Sequence, residues 1–293
     1  MRARPGSWPA LPYAGWLQTR LTLHAVSQML AKLKVALLPP SPRHLEAALT
    51  LDSRGITTGP LPLGDHSLQA RLDLVAHELV LETSDGVRLG VSLTKASCVA
   101  DIWEQYAAAL ANVGVPRRPS PRPHADVSTV AMDQDREPRA YDVEAAGRFF
   151  AALTAVWNVF TQYRASRITA TSLQFWSGAF DVSLERWRQA EPEGSWDADL
   201  GATDPPGLEY IVAGFWPGDE RFPEAAFYSF TDPAPPGYAA AAVEPAAAHW
   251  DDDLGEFILR YDDVRTSRDP REALVTFLNS TCAAGHSEWC EEA

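Results

Sequence analysis

The sequence has 293 residues, of which 46% are hydrophobic and 22% charged. A chain of this size and composition can form one large or two ordinary globular domains, and it is neither disordered nor fibrous. Asp and Glu number 39 against 25 Lys and Arg, a formal net charge of -14 that disfavours nucleic acid and anionic membranes as partners.

The sequence lacks the signals of export and of membrane insertion. No apolar run approaches the ~18 residues that a membrane-spanning helix requires, and the first residues lack the apolar core and the cleavage site of a secretory signal. Three cysteines, Cys98, Cys282 and Cys290, are too few for a disulfide framework and cannot all pair. We therefore expect a cytoplasmic protein without a membrane partner, and the sequence leaves its oligomeric state open.

The first elements along the chain are a helix and a group of strands. Residues 13–37 carry apolar side chains at steps of three and four before Pro39 and Pro40, which predicts one helix. From 44 to 94 the period changes to two, and apolar runs alternate with turn residues, which predicts five short strands. The pair Asp85-Gly86 lies between the last two runs and tolerates positive φ, so it predicts a tight antiparallel hairpin.

A second helix and a proline-rich segment follow these strands. The helix is predicted to begin after a cap at Ser97 and to end at Gly114, so residues 1–114 form a helix–sheet–helix unit. The segment 115–140 opens with VPRRPSPRPH, and we interpret it as a semi-rigid linker. Its basic cluster is typical of a solvated linker and predicts no binding role.

The second half repeats this order of elements. Asp142 caps a predicted helix, and DPRE at 269–272 combines an N-cap, a proline at the first helical position and a glutamate in the first turn of a last helix. Residues 141–285 form the second predicted unit, and 286–293 form a tail. The predicted strands between the two helices are SLQFW, AFDVSLERW, EYIVAGFW, AAFYSFT and EFILRY.

The sequence therefore predicts an α+β fold of two similar units. Each unit would hold an antiparallel sheet of about five strands between two helices, an order of elements consistent with an internal duplication. The acidic, alanine-rich insertion at 232–255 has no counterpart in the first half.

Two Phe-Trp-x-Gly segments, at 175–178 and 215–218, are candidates for a binding surface. Side chains alternate along a strand, so one ring of each pair, Phe175 with Trp176 and Phe215 with Trp216, can enter the core while the other stays nearer the surface. One interpretation is two strand ends sealed by aromatic rings, since aromatic residues are mostly core residues. The other is a cleft in which the two tryptophans flank a ligand.

Two acidic residues, Asp181 and Glu209, lie on otherwise apolar predicted strands. Carboxyl groups held in one pocket can act as acid and base, so this pair is a candidate for catalysis and for polar ligand contacts. Alternatively, each carboxylate occupies the solvated face of its strand or pairs with Arg186.

Cysteine and histidine residues give weaker signals. Cys282, His286 and Cys290 have the spacing of metal ligands on one helix face, but Gly285 predicts that the helix ends there, so we expect no metal site and no cofactor. Cys98 is predicted to be a small buried residue. His24 and His77 lie in apolar patterns, and each is a candidate general base or a hydrogen-bonded structural histidine.

Several collinear segments between about residue 8 and about 285 together resemble one bacterial family of uncharacterised proteins, known only as a domain of unknown function. The segments include WPALPYAGW, RGITTGPLPLGD, HELVLETSDG, FWSGAFDVS, GFWPG and PEAAFYSFTDPAPPGY. The resemblance implies a single architecture and no established activity.

The resemblance also implies a histidine at the position of Gln174 and a His-Glu pair at the positions of Leu208 and Glu209, of which this chain keeps only the glutamate. Loss of these imidazoles would remove groups that bind metals or move protons near neutral pH. We accordingly predict a protein that binds a small polar or aromatic ligand. Its predicted pocket is lined by Gln174, Trp176, Asp181, Glu209 and Trp216.

Two other functions are consistent with the sequence. A hydrolase-like or transferase-like enzyme would use Asp181 and Glu209 and would require both carboxyls in one cleft, with a raised pKa on one of them. A structural or protein-interaction module would instead bury its tryptophans and expose an apolar patch elsewhere.

Overall fold

A computed structural model shows an α+β chain that divides into two compact units, as the sequence predicts. Among the described residues, unit 1 comprises those within Gly15–Phe150 and Phe175–Phe180, and unit 2 comprises those within Ala3–Ala14, Ala151–Gln174 and Asp181–Ala293. The structure describes residues 8–124, 128–165, 170–189 and 208–290.

Unit 1 contains a five-stranded antiparallel sheet in which strand order follows chain order. Short connections produce this order, and Gly86 has a φ of 97° in the predicted hairpin. Apolar side chains of the first helix, including Leu23, Val26 and Leu30, are fully buried. The elements are α1 (Leu17–Leu37), β1 (Thr50–Asp52), β2 (Gly55–Leu63), β3 (His66–Asp73), β4 (Glu78–Thr83), β5 (Arg88–Ser92) and α2 (Val99–Asn112).

The segment 115–140, predicted as a linker, belongs to unit 1. Its backbone bonds to the start of α2: Ala100 N–H donates to the Asp135 carbonyl (2.9 Å), and Arg139 N–H donates to the Ser97 carbonyl (3.0 Å). The division between the units falls instead inside α3 (Val143–Ala165). Prolines keep such a segment extended, but they do not prevent it from packing on the unit before it.

Unit 2 contains a six-stranded antiparallel sheet with the order β10-β11-β9-β8-β7-β6. Its last helix begins as predicted, because Asp269 Oδ1 accepts hydrogen bonds from the backbone of Arg271 and Glu272, both at 3.0 Å. The elements are β6 (Ala170–Trp176), β7 (Asp181–Gln189), β8 (Leu208–Trp216), β9 (Ala226–Asp232), β10 (His249–Asp251), β11 (Glu256–Arg260), α4 (Tyr261–Thr266) and α5 (Pro270–Cys290).

The two sheets differ in connectivity. Unit 1 has a simple meander, whereas in unit 2 the chain leaves β9, forms the edge strand β10 and returns as β11 beside β9. The insertion predicted at 232–255 therefore supplies a sixth strand. The halves share their class and their order of elements, but not the order of their strands.

One face of the unit 2 sheet is an apolar core face. Phe215, Phe227, Phe257 and Leu259 alternate onto it and are almost fully buried, and the ring of Tyr261 from α4 packs against Phe215 and Phe227. The helices α4 and α5 pack on β9, β11 and β8. Among the described residues no helix is long and apolar enough to cross a membrane. The opposite face of this sheet carries most of its polar side chains.

Candidate functional site

The register of four neighbouring strands of unit 2 brings acidic side chains onto one face. Ser183 lies opposite Gly214, Gly214 opposite Tyr228, and Tyr228 opposite Ile258. Residues two positions apart on a strand share a face. We call the group that shares the face of Tyr228 the acidic face, and its members are Asp181 and Glu185 on β7, Tyr228 on β9 and Glu256 on β11.

The acidic face is shielded from water. Asp181, Glu185 and Tyr228 are 6%, 8% and 9% exposed, respectively. An apolar cluster surrounds Tyr228, and it is formed by Val212, Trp216, Ala226 and Ile258, with Phe222 and Leu254 packed against it. Burial of a carboxyl group among apolar side chains disfavours its charged form.

Tyr228 and Asp181 are joined across an intervening strand. The Tyr228 hydroxyl donates a hydrogen bond to Asp181 Oδ2. The strands β7 and β9 are separated by β8, a distance of roughly 10 Å for two strand spacings, so the tyrosine ring must cross β8 to reach the carboxyl. It crosses at Gly214, where an added Cβ would lie 2.2 Å from Tyr228 Cζ and 2.4 Å from the hydroxyl oxygen. Glycine is required at 214 because any side chain would occupy the path of the ring.

The pKa values of two carboxyls on this face are raised toward neutrality. Burial raises the pKa of Asp181 to about 7; the Tyr228 hydrogen bond opposes this effect, and the charge of Glu185 adds to it. Burial and then the charge of Asp181 raise the pKa of Glu256 to about 7, while Arg221 lowers it. Near neutral pH each carboxyl is therefore close to half protonated.

Gln174 lies on β6, the strand next to β7. A four-residue turn joins β6 to β7, so the two strands run antiparallel. We assign Leu173 to the apolar face with Val182 and Leu184, which places Gln174 on the face of Asp181. Gln174 is buried, and its Oε1 accepts no hydrogen bond from the described residues.

The structure brings together some of the predicted pocket residues. Asp181 and Trp216 share the acidic face, since Val182 lies opposite Phe215, and Gln174 is assigned to it. Glu209 lies opposite Arg188 and alternates with Tyr210, so its side chain is on the other face. Asp181 and Glu209 therefore lie on opposite faces of the sheet and do not form a pair. Trp176 is half-buried at the end of β6, in the segment that belongs to unit 1.

Sequence reasoning did not select Glu185, Tyr228 or Glu256. The signal for Glu185 was available, because it is four residues after Asp181 on the same strand and so must share its face. Tyr228 and Glu256 gave no such signal, because their proximity to Asp181 depends on which strands are neighbours.

A family model described as "Family of unknown function (DUF5996)" matches residues 8–293. The chain belongs to this family. No curated protein and no solved structure matches it. Because the family description names no activity, the function of this DUF5996 chain must be argued from its own residues.

A surface groove of unit 2 is a concave feature of the DUF5996 chain, with a volume of about 890 Å³. Half of its lining residues are alanines from 241–246 and α5. Its serine is already occupied: Ser280 Oγ donates to the Glu244 carbonyl (2.8 Å) and accepts from the Glu244 N–H (2.9 Å). The groove lacks the converging polar groups of a ligand site, so the acidic face remains the functional candidate.

His24 of this DUF5996 chain has a structural position in unit 1. Its Nε2 donates to the carbonyls of Ser177 (2.8 Å) and Gly178 (3.1 Å), and its ring lies 5.0 Å from the Phe180 ring. Burial lowers the pKa of His24 to about 4. A histidine that stays neutral and holds two carbonyls anchors the turn before β7. His77 is also hydrogen-bonded, with Nδ1 at 3.1 Å from the Tyr141 hydroxyl.

We expect His24→Gln to remove an acid-sensitive part of the stability. The folded pKa of about 4 lies below the ordinary value of 6.5, so the unfolded chain takes up a proton first and the wild type loses stability as pH falls from 6.5 toward 4. Relative to His24→Gln, this loss should reach about 2 to 3 kcal/mol between pH 6.5 and pH 4.5. Urea denaturation at several pH values measures it, with the exposed His249→Gln as control. A constant difference between wild type and His24→Gln would contradict the expectation.

The cysteines differ from the expectation in one respect. Cys98 is a buried free thiol before α2, as predicted. Cys282 is disulfide-bonded, and its Sγ accepts a hydrogen bond from Arg186 Nη1 at 3.3 Å. One disulfide is still too few for a disulfide framework, and Cys98 stays unpaired. In the described part of the chain no group of three or more His, Cys, Asp or Glu residues is arranged to hold a metal ion.

Proposed function

We propose that this chain binds a small organic cation, an ammonium group attached to an apolar or aromatic part, on the acidic face of unit 2. The observation that carries the proposal is the buried carboxyl of Asp181, which Tyr228 holds in place among other carboxyl groups. Perturbed carboxyls of this kind are concentrated at functional sites because their burial costs stability.

The charge balance of the face supports a cationic ligand. The charges that act on Glu256 are the carboxyls of Asp181 and Asp251, which raise its pKa, and the guanidinium of Arg221, which lowers it. Arg221 also binds Asp219, with Nη2 at 3.0 Å from Oδ2. Buried charges are stable when they are paired, so an ammonium ion would supply a positive charge beside Asp181 and Glu256.

Hydrogen-bonding capacity supports the same class of ligand. Asp181 and Glu256 carry acceptor oxygens, and Gln174 offers Oε1. The hydroxyl of Tyr228 is a donor, but it is already bound to Asp181. An ammonium group carries three N–H donors and no acceptor, which complements a set of acceptors.

The apolar part of the ligand would meet an apolar wall. Trp216 shares the face with Asp181 and stacks on Phe222, with ring centroids 5.9 Å apart. Pockets for small molecules combine such walls with a few converging polar groups. Aromatic faces also attract cations.

Titration with benzylammonium, followed by tryptophan fluorescence at pH 7, tests the proposal. Benzyl alcohol is the matched probe, because it keeps the ring and replaces the ammonium group with a neutral hydroxyl. We expect saturable binding of benzylammonium alone, and Asp181→Asn should weaken it about tenfold or more, the usual effect of losing a charge-assisted hydrogen bond. Glu209→Gln, on the other face, is the control and should bind as the wild type does. Equal binding of both probes, or binding of neither, would refute the proposal.

A further inference from the structure

We infer that a cation binding to the acidic face displaces a proton from Asp181, so that ligand binding at this site is coupled to pH. The inference rests on the proposed function and adds the regulation of the site. It is carried by the fixed position of Tyr228 and by the set of groups that face Asp181.

The Tyr228 hydroxyl is held at Asp181 by packing on both sides of its ring. Gly214 lies beneath the ring, and the Phe230 ring stacks on it at 6.4 Å with an interplanar angle of 17°. A ring confined in this way cannot rotate away when the carboxyl gains or loses its proton. The donor therefore stays with Oδ2, the backbone N–H of Asp181 also bonds to the carboxyl, and a proton or a ligand N–H would take a remaining acceptor position.

The described groups that face Asp181 supply more acid than base. From β8, Tyr210, Val212, Gly214 and Trp216 contribute to this face, and none of them is an acidic or basic residue. The raised pKa values of Asp181 and Glu256, both about 7, agree with retention of a proton near neutrality. The titratable and charged groups on the described part of this face are Glu185 on the same strand, Tyr210 on β8, Tyr228 and Asp232 on β9, Glu256 and Arg260 on β11, and His249 and Asp251 on β10, with Arg221 between β8 and β9.

The exchange is balanced in charge and in atoms. The ligand enters as R–NH3+, the O–H bond of the Asp181 carboxyl breaks, and its proton passes to the solvent. An ammonium N–H then donates to the resulting carboxylate. The charge of the occupied site equals that of the empty protonated site, so no uncompensated charge is buried.

Tyr228→Phe provides a test that a purely structural role would not satisfy. The hydrogen bond from the hydroxyl favours the charged form of Asp181 and lowers its pKa. Removal of the hydroxyl while the ring is kept should raise that pKa. Proton release on ligand binding should then persist to higher pH in Tyr228→Phe than in the wild type.

Phenol red reports the released protons when saturating benzylammonium chloride is mixed with the full chain in unbuffered ~0.1 M sodium chloride. At this ionic strength the Debye length is about 10 Å, so distant surface charges are screened. Tryptophan fluorescence reports binding in the same sample. For a group with a pKa of about 7, release should fall from about one proton per chain at pH 6 to about one tenth at pH 8. Benzyl alcohol is the control and should release none.

The outcomes separate the inference from the proposed function. Saturable fluorescence with proton release that declines with pH, and a profile shifted upward in Tyr228→Phe, would support both. Saturable fluorescence without proton release, or with an unshifted profile, would overturn the inference and leave the proposed function standing. Absence of a saturable signal would overturn the proposed function and the inference with it.

Discussion

Replacing Gly214 with alanine is expected to destabilise unit 2 by about 3 kcal/mol, at the upper end of the usual cost of overpacking. The new Cβ would lie 2.2 Å from Tyr228 Cζ, so the ring must leave its path across β8. Displacement of the ring also breaks the hydrogen bond to Asp181 and leaves a buried carboxyl without its donor. Urea denaturation of the two proteins measures the difference in the free energy of unfolding.

Two comparisons identify the tyrosine ring as the cause. In a Tyr228→Ala background, Gly214→Ala should cost much less, because the ring that it displaces is gone. Gly90→Ala in β5 is a matched strand control, since its Cβ would meet only the ends of the Glu78 and Arg88 side chains, at 3.0 Å and 3.7 Å. An equal cost of Gly214→Ala in both backgrounds would show that the crossing ring is not the reason for the glycine.

Asp181→Asn is expected to make the chain more stable than the wild type at pH 8, with a gap that narrows as pH falls to 5. The folded pKa of about 7 exceeds the ordinary value of 3.8, so between these values the unfolded chain has lost a proton that the folded chain keeps. Rising pH therefore favours unfolding of the wild type, and this effect ends once the pH exceeds the folded pKa. Asparagine is never charged, and its side-chain oxygen can still accept from Tyr228.

The size of the effect follows from the pH window. From pH 5 to pH 7 the window spans two pKa units, which corresponds to about 3 kcal/mol as an upper value. The acid sensitivity of His24 is common to both proteins and cancels in their difference. Asp253→Asn, at an exposed position in the turn before β11, is the matched control. Parallel stability curves for wild type and Asp181→Asn between pH 5 and 8 would contradict the raised pKa.

Local patterns in the sequence were sufficient for most of the secondary structure. Period-two alternation located all five strands of unit 1 and the five main strands of unit 2, because a half-buried strand must alternate its side chains. Asp142 and Asp269 were identified as helix caps because their carboxylates satisfy backbone N–H groups only a few residues away. These interactions span two or three residues, so the adjacent sequence contains all of their determinants.

The sequence did not show that the segment 115–140 is attached to unit 1, or that the insertion at 232–255 contains an edge strand. Proline content correctly indicated extended backbone after α2, but the hydrogen bonds that attach this segment to unit 1 join residues some 35 to 42 positions apart. The edge strand β10, with only three residues, is too short to show a period. For 115–140 the deciding hydrogen bonds join residues that are distant in sequence. For 232–255 the strand is too short to leave a pattern.

The candidate site likewise depends partly on local sequence pattern and partly on tertiary structure. The sequence by itself determined that Asp181 and Glu185 share a face of one strand, because the side-chain period of a strand is two. Only the tertiary structure decided that Glu256 joins them while Glu209 does not, because β11 pairs with β9 and the register turns Glu209 to the other face. It also decided that Tyr228 reaches Asp181 over Gly214. Periodicity specifies which residues of one strand lie together, but strand order and register depend on the packing of the whole sheet.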